Sequence, residues 1–196
     1  MADAAPREAT YADLQAVHPH LVAEIIHGAQ LTHLRPSPRH STASSILGAE
    51  LIVLHRRGRG DSGWFFLDEP ELHLVQNVAV PDIAGWRRER LKSLPDKAYM
   101  ETPPDRVCEV ISPSTEFYDR GAELQIYAEA GVAYLWLVNP VEQYLEAFQF
   151  VAGQWFLQAT LVGADEVKIL PFDAAPFSLG MLWPFDEPID PSKLPN

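Results

Sequence analysis

Three acidic residues interrupt segments of the sequence that are otherwise apolar. Glu109 lies at the centre of "RVCEVIS" (106–112), Asp82 lies within "VAVPDIAGW", and Glu24 lies within "LVAEIIHG". A carboxylate that leaves water is costly unless it is paired, hydrogen-bonded or bound to a cation. Mg²⁺ prefers oxygen ligands and uses one or two carboxylates with waters and substrate phosphates. Together the acids predict a hard-cation site, which in many nucleases activates water for attack on a phosphodiester.

Each acid also has a structural explanation when it is taken alone. It could cap a helix, pair with a nearby arginine such as Arg106, or lie at a partly exposed strand end. Side chains alternate across a strand, so Glu109 shares one face with Val107 and Ile111. The acid therefore interrupts a row of apolar side chains, and both interpretations stay open at this point.

A strand, a helix and a second strand surround Glu109 in the sequence. "RVCEV" and "AYLWLVN" (133–139) are predicted as buried strands, and "DRGAELQIYAEAG" (119–131) as a helix with Asp119 as its N-cap. This order within about 30 residues predicts a right-handed crossover and a parallel strand pair. Glu123 and Tyr127 are four residues apart and therefore lie on one face of the helix.

Other patterns predict the remaining elements. Thr10 is expected to cap a short helix, a hairpin is expected around Gly28, and residues 40–58 are expected to form a long helix. Strands are predicted over 63–67, 71–75 and 77–86, the last with Pro81 and Asp82 at its middle. Residues 144–162 alternate around Gly153–Gln154, which predicts an antiparallel hairpin at a sheet edge.

Length and composition predict one globular domain. The chain has 196 residues, 47% of them hydrophobic, and we expect a disordered start over 1–9, a domain over 10–183 and an extended tail over 184–196. No run of about 18 apolar residues or secretory leader is present, so a cytoplasmic protein without membrane contact is expected. The single Cys108 excludes an intrachain disulfide.

Charge and motifs exclude several classes of function. The net charge of −12 argues against a protein that coats nucleic acid, and the basic stretches 55–60 and 86–92 are expected to be solvated faces. No phosphate-binding glycine loop, dinucleotide fingerprint or serine nucleophile elbow occurs. The histidines lack zinc-motif spacing. His40, at the start of the long helix, is the one expected to approach a site.

Several motifs together resemble the Uma2 family, also called DUF820. They are "AEIIHG", a proline-rich stretch before His40, "ELHL", "VPDIAGW", "PPDRVCEVISPST", "DRGAELQIYAEAGV" and "YLWLVNP", in an order typical of that family over residues 10–180. The family is placed in the PD-(D/E)XK nuclease superfamily. The resemblance implies an α/β fold of mixed α+β type, with a restriction-endonuclease-like core in which helices flank a central mixed β-sheet.

The resemblance also implies a site and a reaction. Asp82 and Glu109 would be ligands of Mg²⁺ or Mn²⁺, Glu24 an additional acid, and the main-chain carbonyl of Val110 a further ligand. The implied activity is hydrolysis of DNA phosphodiester bonds. Tyr127 could donate a hydrogen bond to a phosphate or carboxylate, or could pack in the core. A homodimer through the exposed hairpin strands near 144–160 is also expected.

The sequence departs from the family pattern at the lysine. In the strict superfamily motif a lysine follows the second acid by two positions, where this chain has Ile111; the family's lysine on the next helix is replaced by Glu123. Glu123 could serve as general base or extra ligand, another cation such as Lys97 or Arg120 could fill the space, or cleavage could be lost. The second function left open is therefore a catalytically impaired binding or assembly module.

Overall fold

The secondary structure of the protein is taken from a computed structural model that describes residues 7–57, 63–112, 121–173, 176–187 and 189. In chain order the elements are α1 (Tyr11–Gln15), β1 (Leu21–Ile26), β2 (Ala29–Leu34), α2 (Pro38–Arg57), β3 (Trp64–Asp68), β4 (Leu72–Leu74), β5 (Asn77–Ala79), β6 (Ile83–Arg87), β7 (Arg106–Val110), α3 (Ala122–Glu129), β8 (Tyr134–Asn139), β9 (Tyr144–Val151), β10 (Gln154–Val162), β11 (Glu166–Val167), β12 (Phe177–Ser178) and a 3₁₀ turn (Leu179–Leu182).

Two larger sheets hold most of the strands. One has the spatial order β10-β9-β8-β7-β6-β3, and the other has the order β2-β1-β5-β4, while β11 and β12 form a separate pair. In the six-stranded sheet only β7 and β8 run parallel, and the other neighbours are antiparallel. The sheet is therefore mixed, as expected from the sequence.

The strand–helix–strand order and the parallel strand pair predicted around Glu109 are confirmed. Strands β7 and β8 are joined through α3 and pair in parallel with Glu109 opposite Leu137. Helix α3 begins after Gly121 and is followed by Gly131, whose φ of +78° is favourable for glycine. The expected N-cap, Asp119, lies outside the described residues.

The segment predicted as one strand over 77–86 is instead two strands in two different sheets. Ile25 of β1 pairs with Val78 of β5, whereas β6 pairs with β3 and β7. Pro81 has no backbone N–H to donate to a ladder, which explains why the strand cannot continue through it. Asp82 therefore lies where the chain passes from one sheet to the other, and the prediction of a strand running through it was wrong.

Two tight hairpins set the registers that matter for the site. In the β1–β2 turn His27 and Gly28 have φ of +50° and +79°, and in the β9–β10 turn Ala152 and Gly153 have φ of +51° and +84°. Positive φ at both central residues is the geometry that matches the twist of two-residue hairpins. The second turn lies one residue earlier than predicted, and β10 is at the edge of its sheet.

Two hydrophobic layers cover the faces of the six-stranded sheet. On one face α2 contributes Ala43, Leu47 and Leu51, which pack with Cys108 and Val110. The other face packs against the four-stranded sheet and α3, and its buried residues include Ile26, Leu72, Leu74, Ala79, Ala84, Trp86, Val107, Ile111, Ile126 and Tyr127. Helices thus flank a central mixed sheet. Within the described residues, no helix combines the length and the apolar character needed to span a bilayer.

Candidate active site

The acidic residues singled out in the sequence line one cavity of about 370 Å³. They come from four parts of the fold: Glu24 from β1, Asp82 from the passage between β5 and β6, Glu109 from β7 and Glu123 from α3. Glu24, Glu109 and Glu123 are only 4%, 6% and 6% exposed. Because buried carboxylates repel one another, this concentration of negative charge favours a cation or protons in the cavity.

Strand pairing holds Asp82 and Glu109 next to each other. Ile83 lies opposite Cys108 in the antiparallel β6–β7 pair, so Asp82 and Glu109 are the next opposed positions. The backbone N–H of Asp82 donates to Oε2 of Glu109 at 3.1 Å, and the backbone N–H of Val110 donates to Oδ2 of Asp82 at 2.8 Å. The relative position of these two carboxylates is thus set by backbone groups.

Glu24 is held in place within the four-stranded sheet. The backbone N–H of Val80 donates to its Oε1 at 2.7 Å, a contact that follows from the β1–β5 pairing. His33 lies on the same face of the β1–β2 hairpin, with Nδ1 3.9 Å from Oε2 of Glu24. The β1–β2 register places Val22 opposite His33 and Glu24 opposite Leu31, which makes Glu24 and His33 diagonal neighbours.

Tyr127 contacts the site through Glu109. Its hydroxyl donates to Oε1 of Glu109 at 2.6 Å, and the side chain is fully buried. Burial raises the pKa of Tyr127 well above its usual value, and the nearby carboxylates of Glu109, Glu123 and Glu24 raise it further. The phenol therefore stays protonated and remains a donor. Since Tyr127 does not itself line the cavity, it is a positioning residue for Glu109.

Two histidines line the same cavity. Nε2 of His40 lies 3.2 Å from Oδ2 of Asp82, which agrees with the expectation that His40 approaches a site. Oγ of Ser37 accepts the backbone N–H of His40 at 3.3 Å in the first turn of α2. Burial lowers the pKa of His33; Asp82 raises that pKa and His40 lowers it. His33 was not singled out as a site residue from the sequence. The available signal was the predicted hairpin around Gly28, in which His33 lies opposite Val22 and therefore on the same face as Glu24.

Two cations considered from the sequence, Lys97 and Arg106, do not pair with these acids. Lys97 lies 2.9 Å from Glu101 and lines a different cavity, so it does not fill the space of the lost lysine. Arg106 is on the opposite face of β7 from Glu109; its Nε donates to Sγ of Cys108 at 3.3 Å and does not pair with the acid. Arg120 lies outside the described residues. Arg35, which sequence reasoning missed, does line the cavity.

The oxygen donors at Asp82 and Glu109 are of the type and number that Mg²⁺ uses, because one or two carboxylates with waters usually suffice. An ionised carboxylate offers about four lone-pair sites, so a carboxylate that accepts backbone hydrogen bonds can still coordinate an ion. As the side chains stand, the described residues contain no group of three or more His, Cys, Asp or Glu side chains placed to hold an ion. The residues fit a two-carboxylate site, and the role of Glu24 as a third ligand stays a prediction.

Comparison with known proteins gives a consistent picture of the fold. The model of the Uma2 family, described as "Putative restriction endonuclease", matches residues 8–178. A solved structure described as a "putative nuclease belonging to DUF820" from Anabaena variabilis is similar with a TM-score of 0.70. The two chains are 18% identical, and the similarity covers 87% of this chain and 94% of the other. None of the curated proteins compared with the chain matches it.

Proposed function

The chain belongs to the Uma2 family, and from that premise we propose that the cavity is the active site of a metal-dependent endonuclease that hydrolyses DNA phosphodiester bonds. One observation carries the proposal: Glu24 from β1, Glu109 from β7 and Asp82 from the passage between β5 and β6 line the same cavity. A fold does not by itself determine a function. The proposal therefore depends on these side chains and on the family's description, "Putative restriction endonuclease".

In this proposal Asp82, Glu109 and the main-chain carbonyl of Val110 hold Mg²⁺ or Mn²⁺, with Glu24 as an additional acid. When bound, the ion supplies charge neutralisation at the phosphate and lowers the pKa of water. The chain's own residues position these ligands: Tyr127 holds one oxygen of Glu109, and the backbone N–H of Asp82 holds the other.

Glu123 takes the role of general base in this proposal. It is buried, it lines the cavity, and it lies one helical turn before Tyr127, which places it close to the Glu109 carboxylate. A carboxylate at this position accepts the proton of the attacking water. It does not neutralise the phosphate as a lysine would, so that positive charge must come from elsewhere.

A second function is a catalytically impaired module that binds or assembles with partners. Two observations favour it. Glu123 has the charge opposite to that of the expected lysine, and the described side chains include no preformed group of three metal ligands. The net charge of −12 also weakens association with DNA.

The proposal includes a homodimer formed through β10. This strand is the edge of the six-stranded sheet, and its nine residues, Gln154–Val162, include no charged side chain. Phe156 and Leu157 are 47% and 54% exposed. Edge strands of natural proteins usually carry charges that prevent pairing. Two copies of an acidic chain would meet with least repulsion at an uncharged strand, as an antiparallel pair across a two-fold axis.

A cleavage assay tests the catalytic proposal. Purified protein is incubated with plasmid and with single-stranded DNA in Mg²⁺ and in Mn²⁺, beside Asp82→Ala and Glu109→Ala. Glu166→Ala, an exposed acid on β11, is the matched control. We expect metal-dependent cleavage by the parent and the control, and loss of cleavage in both site variants.

The outcomes separate the two functions. Cleavage that persists unchanged in Asp82→Ala and Glu109→Ala would rule out this cavity as the active site. A parent protein that neither cleaves DNA nor binds Mn²⁺ by calorimetry would favour the binding or assembly module. Circular dichroism of each variant controls for unfolding, since Asp82 also accepts a backbone hydrogen bond from Val110.

A further inference from the structure

Positive charge is unevenly distributed along this acidic chain. Between Asp13 and Glu50 the sequence contains two arginines, five of the seven histidines and a single acid, whereas the rest of the chain contains 13 lysines and arginines, two histidines and 26 acidic residues. The single acid is Glu24, which is 4% exposed inside the cavity. The surface of this segment is therefore free of acidic side chains, in contrast to the chain as a whole.

The structure places three basic side chains of this segment, those of Arg35, His33 and His40, in the wall of the cavity. Arg35 and His33 line it, and Nη2 of Arg35 donates to the carbonyl oxygen of Pro19 at 3.1 Å. That bond holds the loop bearing His18 and His20 beside Arg35, and the two imidazole rings lie 4.8 Å apart. We call His18, His20, His33 and Arg35 the rim.

Arg35 differs from the other arginines near the site. Among the described residues that line the cavity, it is the single lysine or arginine. Arg39, in the first turn of α2, lies 2.8 Å from Asp186 and is thereby partly neutralised. In the basic stretch 86–92, Arg90 lies 2.7 Å from Asp105. The guanidinium of Arg35 is exposed and has a backbone carbonyl as its partner, which leaves its charge available to an anion.

We propose that the rim is the surface on which the phosphate backbone of DNA docks beside the bond that is cut, with Arg35 as the positioning residue for a phosphate. This inference rests on the proposed function, and it identifies a cation in the cavity wall that offsets the positive charge lost with the lysine at position 123. The carboxylates in the cavity repel a phosphate, so a polyanion needs compensating charge at the entrance. Arg35 also has the fork of donors that suits phosphate oxygens.

The first turn of α2 strengthens the positive potential at the rim. Ser37 lines the cavity, and α2 is a 20-residue helix that begins at Pro38, directly after it. The amino-terminal end of a helix carries a partial positive charge from its aligned peptide dipoles. The short connection from Arg35 to Pro38 contains two prolines, which restrict the backbone. Arg35 is therefore held near the helix end by the covalent chain as well as by Pro19.

Binding in the absence of metal tests the rim without requiring catalysis. The anisotropy of a short fluorescein-labelled DNA duplex is measured with full-length protein in EDTA over a series of salt concentrations. We expect Arg35→Glu to weaken binding by about tenfold or more. The logarithm of the binding constant falls as the logarithm of the salt concentration rises, and this decrease should become less steep by about one unit of slope in the variant. Arg35→Lys should retain most of the binding. Arg88→Glu is the matched control, because Arg88 is exposed and lies beyond the far end of β6 from Asp82.

Each outcome bears on the rim separately from the chemistry. Equal weakening by Arg35→Glu and Arg88→Glu, or no DNA binding by the parent even at low salt, would overturn the rim as a docking surface. Cleavage by metal-loaded parent with an unchanged KM in Arg35→Glu would overturn the rim while leaving the proposed function intact. Arg35-dependent binding by a parent that does not cleave would support the rim and count against the endonuclease.

Discussion

The hydroxyl of Tyr127 and Oε1 of Glu109 are 2.6 Å apart, in a hydrogen bond between two side chains that are both shielded from water. Hydrogen bonds to a charged carboxylate are shorter and stronger than neutral ones. The second oxygen of Glu109 accepts the backbone N–H of Asp82. Glu109 is therefore held at both oxygens, which fixes the direction in which its remaining lone pairs point.

Tyr127→Phe should weaken metal binding and catalysis while leaving the fold intact. Loss of the donor removes one of the hydrogen bonds that orient the Glu109 carboxylate, and removal of such outer partners typically costs about 10–100-fold in metal affinity or activity. Mn²⁺ affinity by calorimetry and the kcat of DNA cleavage are the measurements. Tyr144→Phe, at the start of β9, is a matched control that should change neither. Equal effects of the two substitutions would contradict the positioning role.

Alkaline pH should destabilise the protein through the same tyrosine. The folded state holds the pKa of Tyr127 well above its usual value, whereas an unfolded tyrosine ionises near about 10. The folded state therefore binds more protons above about pH 10, so the stabilising contribution is complete below that pH and is lost as the pH rises. The free energy of unfolding, measured with denaturant across this range, should fall less steeply for Tyr127→Phe. Identical slopes would show that Tyr127 ionises normally.

Arg106→Met should leave the protein as stable as the parent or make it more stable. The guanidinium is fully buried between Trp136 and Phe172, with its central carbon 3.4 Å and 4.6 Å from the two ring centroids. Within the described residues, Nη1 and Nη2 have no hydrogen-bond acceptor. Apolar replacement of buried charges is often neutral or stabilising by about 1–4 kcal/mol. Arg106→Ala is the contrasting variant, because it leaves a cavity between the rings.

The thermal and denaturant unfolding of both Arg106 variants decides this prediction. A Met variant that unfolds at lower denaturant than the parent would mean that stacking on Trp136 outweighs the cost of burying the charge. Cleavage activity should be unaffected, since Arg106 lies on the face of β7 opposite Glu109.

Substitution of Glu123 should distinguish a catalytic base from a lost lysine. If Glu123 accepts the proton of the attacking water, Glu123→Gln should lower kcat by about 10²-fold or more with little change in KM, and Glu123→Lys should also lower it. The measurement is the initial rate of plasmid cleavage in Mg²⁺. Glu129→Gln, at the exposed end of α3, should have no effect. A higher rate in Glu123→Lys would instead show that the missing lysine limits activity.

Phe156→Lys should dissociate the proposed dimer. The substitution places a charge on each of two facing β10 edges, where like charges repel. We expect the parent to sediment at twice the monomer mass of 21.9 kDa and the variant to sediment as the monomer. Thr160→Lys places the same charge at a position of β10 that is already polar. If a charge on this edge is enough to prevent dimerisation, this variant should also sediment as the monomer. A parent that is monomeric at all concentrations would contradict the dimer.

The acids of the site could be predicted because their signal is local. An acid within an otherwise apolar segment of sequence is unusual, and Glu24, Asp82 and Glu109 each show that pattern. The alternation of side chains along a strand also predicted which residues of β7 lie on each face of the sheet. The same parity places Arg106 with Cys108 and away from Glu109, so pairing of Arg106 with that acid could have been excluded from the sequence.

The remaining parts of the site depend on long-range pairing. His33 reaches Glu24 through the β1–β2 register, and Glu24 reaches the cavity because β1 pairs with β5. Arg35 is oriented by a carbonyl 16 residues earlier in the chain. No local pattern specifies which sheet a short strand joins, and the change of sheet at Pro81 was missed for that reason.

Because the chain changes sheets at Pro81, the hydrophobic layer between the two sheets separates the acids of the site. Glu24 belongs to the four-stranded sheet and Glu109 to the six-stranded sheet, while Asp82 is in the chain that connects them. Leu72 and Leu74 from one sheet and Trp86 from the other pack in the layer between. The thickness of that layer therefore sets the separation between the Glu24 and Glu109 carboxylates, so a change in the size of a core side chain would change the spacing of the acids in the cavity.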